Sequence, residues 1–344
     1  MNTRLADELP IPPHFDLSKA GKVWSVAYEK CAIEALNWAK EYNISPAIED
    51  KTKIALLAID MQNTFCIPGF ELFVAGQNGS AAVDDTIRLC RFIYQNLHRI
   101  TAILPTLDTH KTVQIFHQIF WVDNKGHHPK PMTVISYDDV KNKLWQVNPN
   151  ITPSTVFSNP EELQQHALFY VKTLTKAGKY PLIIWPYHAM LGSIGHALTP
   201  LLEDALFFHN IARQTQSEFE IKGTNPLTEN YSALNAEVLD TFDNKAIAAK
   251  NSSLINKLLT CDKLIIAGEA KSHCVAWTIA DLLNEIKNID IELAKKIYIL
   301  EDCTSSVVVP GVVDFTEAAD KAFQEFAQSG INLVKSTDEV SNWP

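Results

Sequence analysis

The sequence lacks the long apolar runs and paired cysteines that mark membrane proteins and disulfide-stabilised proteins. No segment approaches the roughly 18 apolar residues that a membrane-spanning helix requires, and no apolar run follows a basic start at residues 1–15. We therefore expect neither a membrane partner nor a secretory signal. The six cysteines form no C-x-x-C pair, which is typical of reduced thiols inside cells. These absences predict a soluble cytoplasmic protein.

An excess of basic residues is also missing. Lys and Arg number 30 against 40 Asp and Glu, which gives a formal net charge of -10 over 344 residues. A nucleic-acid-binding protein needs a basic surface against the phosphates, so we expect no nucleic-acid partner. Hydrophobic residues make up 46% of the chain, and a chain of this size buries enough surface to fold without disulfides or metal staples.

Short apolar runs alternate with amphipathic stretches from residue 53 onward. The runs are typical of strands buried on both faces, and the stretches between them have helical spacing. This alternation predicts βαβ units and a three-layer α/β/α, Rossmann-like fold with a central, mostly parallel sheet. The expected strands are 53–60, 99–108, 180–186, 262–270, 296–302 and 331–337, and the expected helices are 81–97, 191–206, 232–249, 274–288 and 314–329.

Two segments stand outside this alternation. Residues 1–50 combine a Pro-rich arm with helical spacing at 23–43, so we expect an N-terminal extension with one helix before a main domain at 51–344. Residues 121–180 interrupt the alternation and end in a helix-like stretch. We expect this insertion to form a cap or an oligomer contact.

A cysteine, an aspartate and a lysine close predicted strands at the edge of the sheet where ligands bind. Cys274 follows the turn after strand 262–270, Asp60 closes strand 53–60, and Lys222 follows a strand-like stretch. A thiol at a helix start favours the thiolate, a nearby carboxylate takes its proton, and free N–H groups of the turn bind an oxyanion. Taken singly, each residue also fits a packed or solvated position.

A second group has metal-binding chemistry. Asp108 and His110 lie at the end of one predicted strand, and His188 follows another. One carboxylate and two imidazoles form a facial set that accepts Zn, Fe or Mn without clear preference. An Asp-x-His pair alone is a weak signal, and we interpret His127 and His128, in a polar loop, as solvated.

Five segments, in this order, resemble motifs of the nicotinamidase and isochorismatase-like cysteine hydrolase superfamily. The resemblance covers about residues 53–337, with 121–180 unmatched. In chain order, the five segments are AIDMQNTFCIPG, TLDTHK, WPYHAMLGSIG, KGTNPLTENYSAL and GEAKSHCVAWTIADL. They are similar, respectively, to the D-x-Q-N-x-F, D-x-H, W-P-x-H-C, K-G…Y-S-A/G-F and nucleophile motifs of that superfamily.

The resemblance implies an isochorismatase-like fold, with residues 51–344 as a cysteine hydrolase domain that turns a small amide, nicotinamide above all, into its acid and ammonia. It implies a catalytic triad of Cys274, Asp60 and Lys222 that acts through a thioester. The oxyanion would be held by the N–H groups of Ala270 and Cys274, beside a cis peptide between Glu269 and Ala270.

The resemblance also implies a divalent metal, no organic cofactor and a homo-oligomer. The metal ligands would be Asp108, His110 and His188, which hold the ring nitrogen of the substrate in nicotinamidases. Glu229 lies where some members place a carboxylate behind the ligands. The ring-binding pocket would be formed by Phe65, Trp185, Tyr231 and His273.

Several positions depart from the motifs and leave alternatives open. Thr109 replaces an aromatic residue, Ala189 replaces a cysteine, and Lys271 with Ser272 replaces a Thr-Asp pair; His117 is shifted by one residue from a common spacing. An amidase for a carbamoyl or ureido compound, an inactive binding relative and a thiol redox protein therefore remain alternatives. Vinyl-ether cleavage of the isochorismatase type is disfavoured, because it does not need the cysteine.

Overall fold

The computed structural model describes residues 8–152, 156–157 and 159–343. Residues 1–7 of the expected N-terminal arm, four positions of the expected insertion and Pro344 lie outside the described residues. The strands are β1 Ile54–Ile59, β2 Ala102–Asp108, β3 Trp121–Val122, β4 Val134–Ile135, β5 Gln146–Val147, β6 Leu182–Ile183, β7 Glu220–Lys222, β8 Lys263–Gly268, β9 Ile297–Leu300, β10 Val308–Val309, β11 Val313–Asp314 and β12 Asn332–Val334.

Helices occupy most of the segments between these strands. None of those described is long and apolar enough to cross a membrane. Their bounds are α1 Tyr28–Glu41, α2 Asn63–Cys66, α3 Ala81–Gln95, α4 Tyr137–Lys141, α5 Pro160–Lys176, α6 Pro200–Arg213, α7 Ser252–Thr260, α8 Ala276–Ile289 and α9 Thr316–Gln328.

The central sheet confirms the predicted fold class. In the part of the chain that the structure describes, six strands lie in the order β12-β9-β8-β1-β2-β7, and every neighbouring pair is parallel. Successive side chains of a strand point to opposite faces of a sheet. Leu56 and Ala58 of β1 accordingly face a core with α1, α3 and α6, whereas Leu57 and Ile59 face a core with α7, α8 and α9.

The segment expected as an insertion packs around a third apolar core. Phe120, Trp121 and Ile135 are buried there against Leu163 and Tyr170 of α5. The side chain of Asn159 caps α5 by accepting from the Glu162 N–H at 2.9 Å, as the sequence pattern of an N-cap predicts. This core borders the carboxyl ends of β2 and β7, where it can shape a site.

The strand expected at 180–186 is wrong as a member of the central sheet. Only Leu182–Ile183 is extended, and it pairs antiparallel with β4, because the insertion core buries its apolar side chains. The sixth central strand is β7 at the edge of the sheet, where Ile221 is 58% exposed. An edge strand of this kind has no apolar run that would reveal it.

Two helix predictions also need correction. No helix forms at 232–249 among the described residues; Leu234 is buried in one core and Val238 in another, and this spacing imitates a helical face. The nearest helix is α7, which begins after Asn251. The helix expected at 191–206 begins only at Pro200, a residue favoured in the first turn.

The N-terminal segment lies on the α6 side of the sheet. Helix α1 forms within the predicted range 23–43 and packs along α6, with Cys31 and Ala35 buried. The division into an extension at 1–50 and a catalytic domain at 51–344 stays a prediction.

At Gly268, the last residue of β8, the backbone lies very close to that of β1. Its φ is +124° and an added Cβ would lie 2.1 Å from the Ile59 carbonyl oxygen. We expect Gly268→Ala to prevent stable folding, because rigid backbone of β1 occupies that space. Gly330→Ala is the matched control, since φ is +99° there and the nearest atom would be 3.7 Å away. It should cost only the roughly 1–2 kcal/mol of a left-handed residue. Equal free energies of unfolding for the two variants, measured by denaturant titration, would contradict this.

Candidate active site

The sheet brings the ends of four strands to one edge. Asp60 follows β1, and Asp108 and Lys222 are the last residues of β2 and β7. The parallel register pairs Asp108 directly with Lys222 and Ile59 with Gly268. Since the nucleophile candidate Cys274 lies in the turn after β8, the three expected triad residues converge at this edge.

Lys222 lies at the centre of this group. Its buried ammonium is 2.9 Å from Asp60 Oδ2 and 3.0 Å from Asp108 Oδ1. It also donates to the Asn230 carbonyl at 2.9 Å and approaches the Cys274 sulfur at 3.5 Å. A buried cation is costly unless paired, and here two carboxylates pair it. Lys222 thereby holds both carboxylates and the sulfur at fixed positions.

Asp60 is fixed from its other side by Thr106. The Thr106 hydroxyl donates to Asp60 Oδ1 at 2.5 Å, and the Asp60 N–H donates to the same hydroxyl oxygen at 3.0 Å. The Lys222 ammonium contacts both the Asp60 carboxylate and the Cys274 sulfur. A carboxylate that shares a cation with the thiol is a candidate general base toward it.

Burial and charge set the protonation of the three groups. Burial raises the pKa of the Cys274 thiol well above its usual range, and the charge of Lys222 only partly offsets this. Burial raises the pKa of Asp60 as well, again against the effect of Lys222. For Lys222 burial lowers the pKa, but Asp108 and Asp60 outweigh it and hold the pKa well above its usual range. The resting site therefore holds a protonated thiol beside a carboxyl group that can accept its proton.

The turn after β8 presents Cys274 at the pocket. The peptide between Glu269 and Ala270 is cis, as expected from the resemblance. Residues Lys271–Val275 form one π-helical turn before α8 begins, and the Ala270 carbonyl accepts from the Val275 N–H at 3.2 Å. Ala270 and Cys274 both line the pocket. Their N–H groups are the ones expected to form the oxyanion hole.

Asp108, His110 and His188 form a buried group that is suited to a metal ion. One ligand atom from each lies within 4.8 Å of the other two. Asp108 Oδ2 is 2.8 Å from His110 Nε2 and 3.6 Å from His188 Nε2. Burial raises the pKa of Asp108, but His110 and Lys222 outweigh it and hold the pKa well below its usual range. The carboxylate is therefore ionised, as a metal ligand must be.

The outer hydrogen bonds of the two imidazoles fit a cation between them. The Nδ1 atoms of His110 and His188 face the carbonyls of Gly223 at 3.2 Å and Pro186 at 2.8 Å. A carbonyl only accepts, so each ring carries a proton on Nδ1 and directs Nε2 inward. The inward Nε2 of His110 faces Asp108 Oδ2 at 2.8 Å in a geometry that makes no hydrogen bond, and it has no other partner among the described residues. Three electron-rich atoms thus converge where a proton or a divalent cation must lie.

A pocket of about 420 Å³, including its mouth, opens beside these groups. All four residues expected to bind a substrate ring line it, and their aromatic faces meet edge to face: the His273 ring centroid is 5.6 Å from Trp185 and 5.3 Å from Tyr231. The Trp185 indole donates to the Tyr231 hydroxyl at 3.1 Å. Phe65 packs against His188 at 5.7 Å. The rest of the wall is apolar except for Asp108, His188, Glu229 and Cys274. An apolar wall with a few polar groups suits a small planar ligand.

Glu229 and His117 lie around the metal group without joining it. Glu229 lines the pocket, and burial raises its pKa to about 7. Burial lowers the pKa of His117 to about 3, and its ring centroid is 5.9 Å from that of His110. The His117 ring therefore packs beside the three proposed metal ligands and lies outside their group.

Several residues of the site escaped the sequence analysis. Gln62 accepts from the Asp108 N–H at 2.7 Å and donates to the Asp108 carbonyl at 2.8 Å; it lies in the first quoted motif, which was the available signal. Gly223 is required where it stands, because an added Cβ would lie 2.6 Å from Asp108 Oδ1. Apolar pocket walls, which carry no motif, come from Leu72, Val74 and Val307.

Comparisons with known proteins agree with this architecture. The nicotinamidase of Escherichia coli (strain K12) is 29% identical over 164 residues, which are 46% of this chain and 61% of that protein. The chain thus spans about three fifths of the length of that curated relative. No family model matches.

Similarity to a solved structure shows the fold. The yeast nicotinamidase bound to the inhibitor nicotinaldehyde has a TM-score of 0.51 at 19% identity, over 82% of this chain and 99% of that one. A nicotinamidase from Acinetobacter baumanii reaches 0.48 at 18% identity, over 84% and 99%. The expectation drawn from the five motifs is confirmed: the chain resembles the nicotinamidase and isochorismatase-like hydrolase superfamily in sequence and has its fold.

Proposed function

We propose that the protein hydrolyses the carbon–nitrogen bond of a small aromatic amide, with nicotinamide as the first candidate. The observation that carries this proposal is the contact of one buried ammonium, Lys222 Nζ, with Asp60 at 2.9 Å and with the Cys274 sulfur at 3.5 Å. A nucleophile, a base and a cation in contact form the arrangement that nucleophilic amide hydrolysis needs.

In the proposed mechanism Asp60 takes the thiol proton as the Cys274 sulfur attacks the amide carbonyl. The N–H groups of Ala270 and Cys274 hold the oxygen as it becomes negative. Asp60 then gives its proton to the amide nitrogen. Ammonia departs, and the acyl group stays bound to Cys274 as a thioester. Asp60 next activates a water molecule that hydrolyses the thioester and restores the thiol. The charge of Lys222 keeps Asp60 and the developing thiolate in place through all steps.

The group Asp108, His110 and His188 would hold a divalent cation, for which Zn, Fe and Mn all suit the donor set. When bound, the cation supplies a Lewis acid beside the pocket for a lone pair of a ring nitrogen. Asp108 contacts both His110 and Lys222, so it links the metal group to the nucleophile. His188 also forms part of the pocket wall.

The pocket favours a flat ring over a flexible chain. Trp185 and His273 are buried, Tyr231 is partly buried, and their rings pack edge to face, so little side-chain freedom is lost when a ring binds. Burial lowers the pKa of His273 to about 3, which keeps its imidazole neutral at ordinary pH. A neutral aromatic amide fits this lining better than a charged one. A homo-oligomer and a cytoplasmic location stay predictions.

Loss of the nucleophile tests the proposed mechanism. Replacing Cys274 by Ala should lower ammonia release from nicotinamide roughly a thousandfold or more, because loss of a covalent nucleophile removes the main pathway. Folding should persist, since a single buried sulfur beside an open pocket is lost. The measurement is ammonia release by the purified variant, with its thermal unfolding recorded beside the parent protein.

Cys261→Ala is the matched control for this change. Its sulfur is as buried as that of Cys274 and donates to the Leu258 carbonyl at 3.1 Å, away from the pocket. It should keep full activity. Turnover retained in Cys274→Ala would refute the mechanism. Absence of release from nicotinamide, combined with selective labelling of Cys274 by iodoacetamide, would direct the search to carbamoyl or ureido amides.

Loss of one imidazole tests the proposed metal ligands. His188→Ala should weaken metal binding by more than the roughly 10- to 100-fold that loss of an outer partner costs, and should lower substrate affinity. His196→Ala is the control, because His196 Nε2 bonds to the Thr109 hydroxyl at 2.8 Å and takes no part in the group. Metal per chain, measured by elemental analysis, should fall by one equivalent only in the first variant. An unchanged metal content would show that the assigned ligands are wrong.

A further inference from the structure

A second group of metal-binding side chains lies outside the active-site pocket, where the N-terminal segment covers α6. His14 comes from the segment before α1, Cys31 from α1 and Asp204 from α6. One ligand atom of each lies within 4.8 Å of the other two. Nitrogen, sulfur and oxygen donors from three separate segments thus meet at one point.

The imidazole of His14 lies between two carboxylates. Its Nδ1 is 3.1 Å from Glu34 Oε2, and its Nε2 is 3.1 Å from Asp204 Oδ2. A neutral imidazole has one N–H, and a carboxylate only accepts. One of the two contacts therefore lacks a donor unless the ring gains a second proton or a cation lies between Nε2 and Asp204.

The surroundings of His14 favour the cation on the Nε2 side. Glu34 can accept a hydrogen bond from the Nδ1–H group. An outer carboxylate of this kind orients the imidazole of a metal-bound histidine. The ring is held by Phe208 at 5.1 Å and Tyr94 at 5.7 Å between centroids. The Tyr94 hydroxyl lies 3.2 Å from His14 Nε2 and donates its one proton to Asp204 Oδ2 at 3.0 Å, so it fixes the carboxylate as well.

Cys31 supplies the third donor. Its buried sulfur is 4.0 Å from the Asp204 backbone oxygen. Burial, reinforced by Asp204, raises the pKa of its thiol to about 12.

We propose that Cys31, His14 Nε2 and the Asp204 carboxylate bind one zinc ion that joins the N-terminal segment to α6. Zinc is the divalent ion that best accepts a mixed set of thiolate, imidazole and carboxylate ligands. Three protein ligands leave a fourth position for water, and the neighbouring cavity of about 410 Å³, including its mouth, gives access from solvent.

The two lysines that line this cavity do not compete for the ligand atoms. Lys30 Nζ is 3.6 Å from Glu34 Oε1, the oxygen that does not face His14. Lys19 Nζ lies 4.5 Å from the centre of the Trp24 ring. Both ammonium groups therefore have partners at the rim, and the donors of Cys31, His14 and Asp204 face one another.

Cobalt substitution of the full chain tests this proposal. Co²⁺ replaces zinc in tetrahedral sites, and a thiolate ligand adds an intense charge-transfer band in the near ultraviolet. The ligands proposed at the active site are one carboxylate and two imidazoles, which give no such band. We expect metal-free protein to develop the band on titration with Co²⁺, to saturate it within two equivalents because the active-site group also takes up a divalent cation, and to lose it when Zn²⁺ is added.

Variants assign the band to its sulfur. Cys31→Ser should abolish it, whereas Cys274→Ser should keep it and so exclude the active-site thiol. Cys90→Ser is a second control, because Cys90 is buried in neighbouring α3 outside the group. His14→Gln, a change in a half-buried segment that leaves the core intact, should weaken Co²⁺ binding at least about tenfold.

Two results would overturn the proposal. One is a titration without a charge-transfer band while the protein is folded by circular dichroism. The other is a band that disappears in Cys274→Ser and persists in Cys31→Ser or His14→Gln. Failure of nicotinamide hydrolysis affects neither result, because the band reports metal binding alone.

Discussion

Lys222 carries one positive charge into a buried site where two carboxylates and a sulfur surround it. Removing an ammonium from water costs several kcal/mol, and the contacts with Asp60 and Asp108 offset this only while both carboxylates stay in place. The dependence is mutual, since neither carboxylate could stay ionised there alone. The thiol, the proposed base and the proposed metal ligand Asp108 are therefore held by one charge balance.

That charge balance depends on backbone register. The direct pairing of Asp108 with Lys222 sets the two side chains at one level on neighbouring strands, and the pairing of Ile59 with Gly268 does the same for β1 and β8. Glycines make both approaches possible, because a Cβ at Gly223 would meet Asp108 and one at Gly268 would meet Ile59. A slip of one residue in either pair would turn these side chains to the opposite face.

Segments outside the central sheet contribute side chains to two groups of functional interest. The third core, with Trp121 and Tyr170, supports Trp185 in the pocket wall. On the α6 side, the segment before α1 contributes His14 to a cluster with Cys31 and Asp204. In both places the sheet supplies the framework, and segments outside it contribute side chains to the proposed sites.

The sequence by itself determined the fold class, five of the six central strands among the described residues, and the candidates Asp60, Asp108, Lys222 and Cys274. Buried strands leave apolar runs, and strand-end motifs are local patterns that one stretch of chain contains. Only the tertiary structure decided that β7 completes the sheet, because an exposed edge strand has no apolar run. It also decided that His14 meets Asp204, 190 residues later in the chain. Contacts between distant segments depend on how helices and strands pack, and no local pattern encodes them.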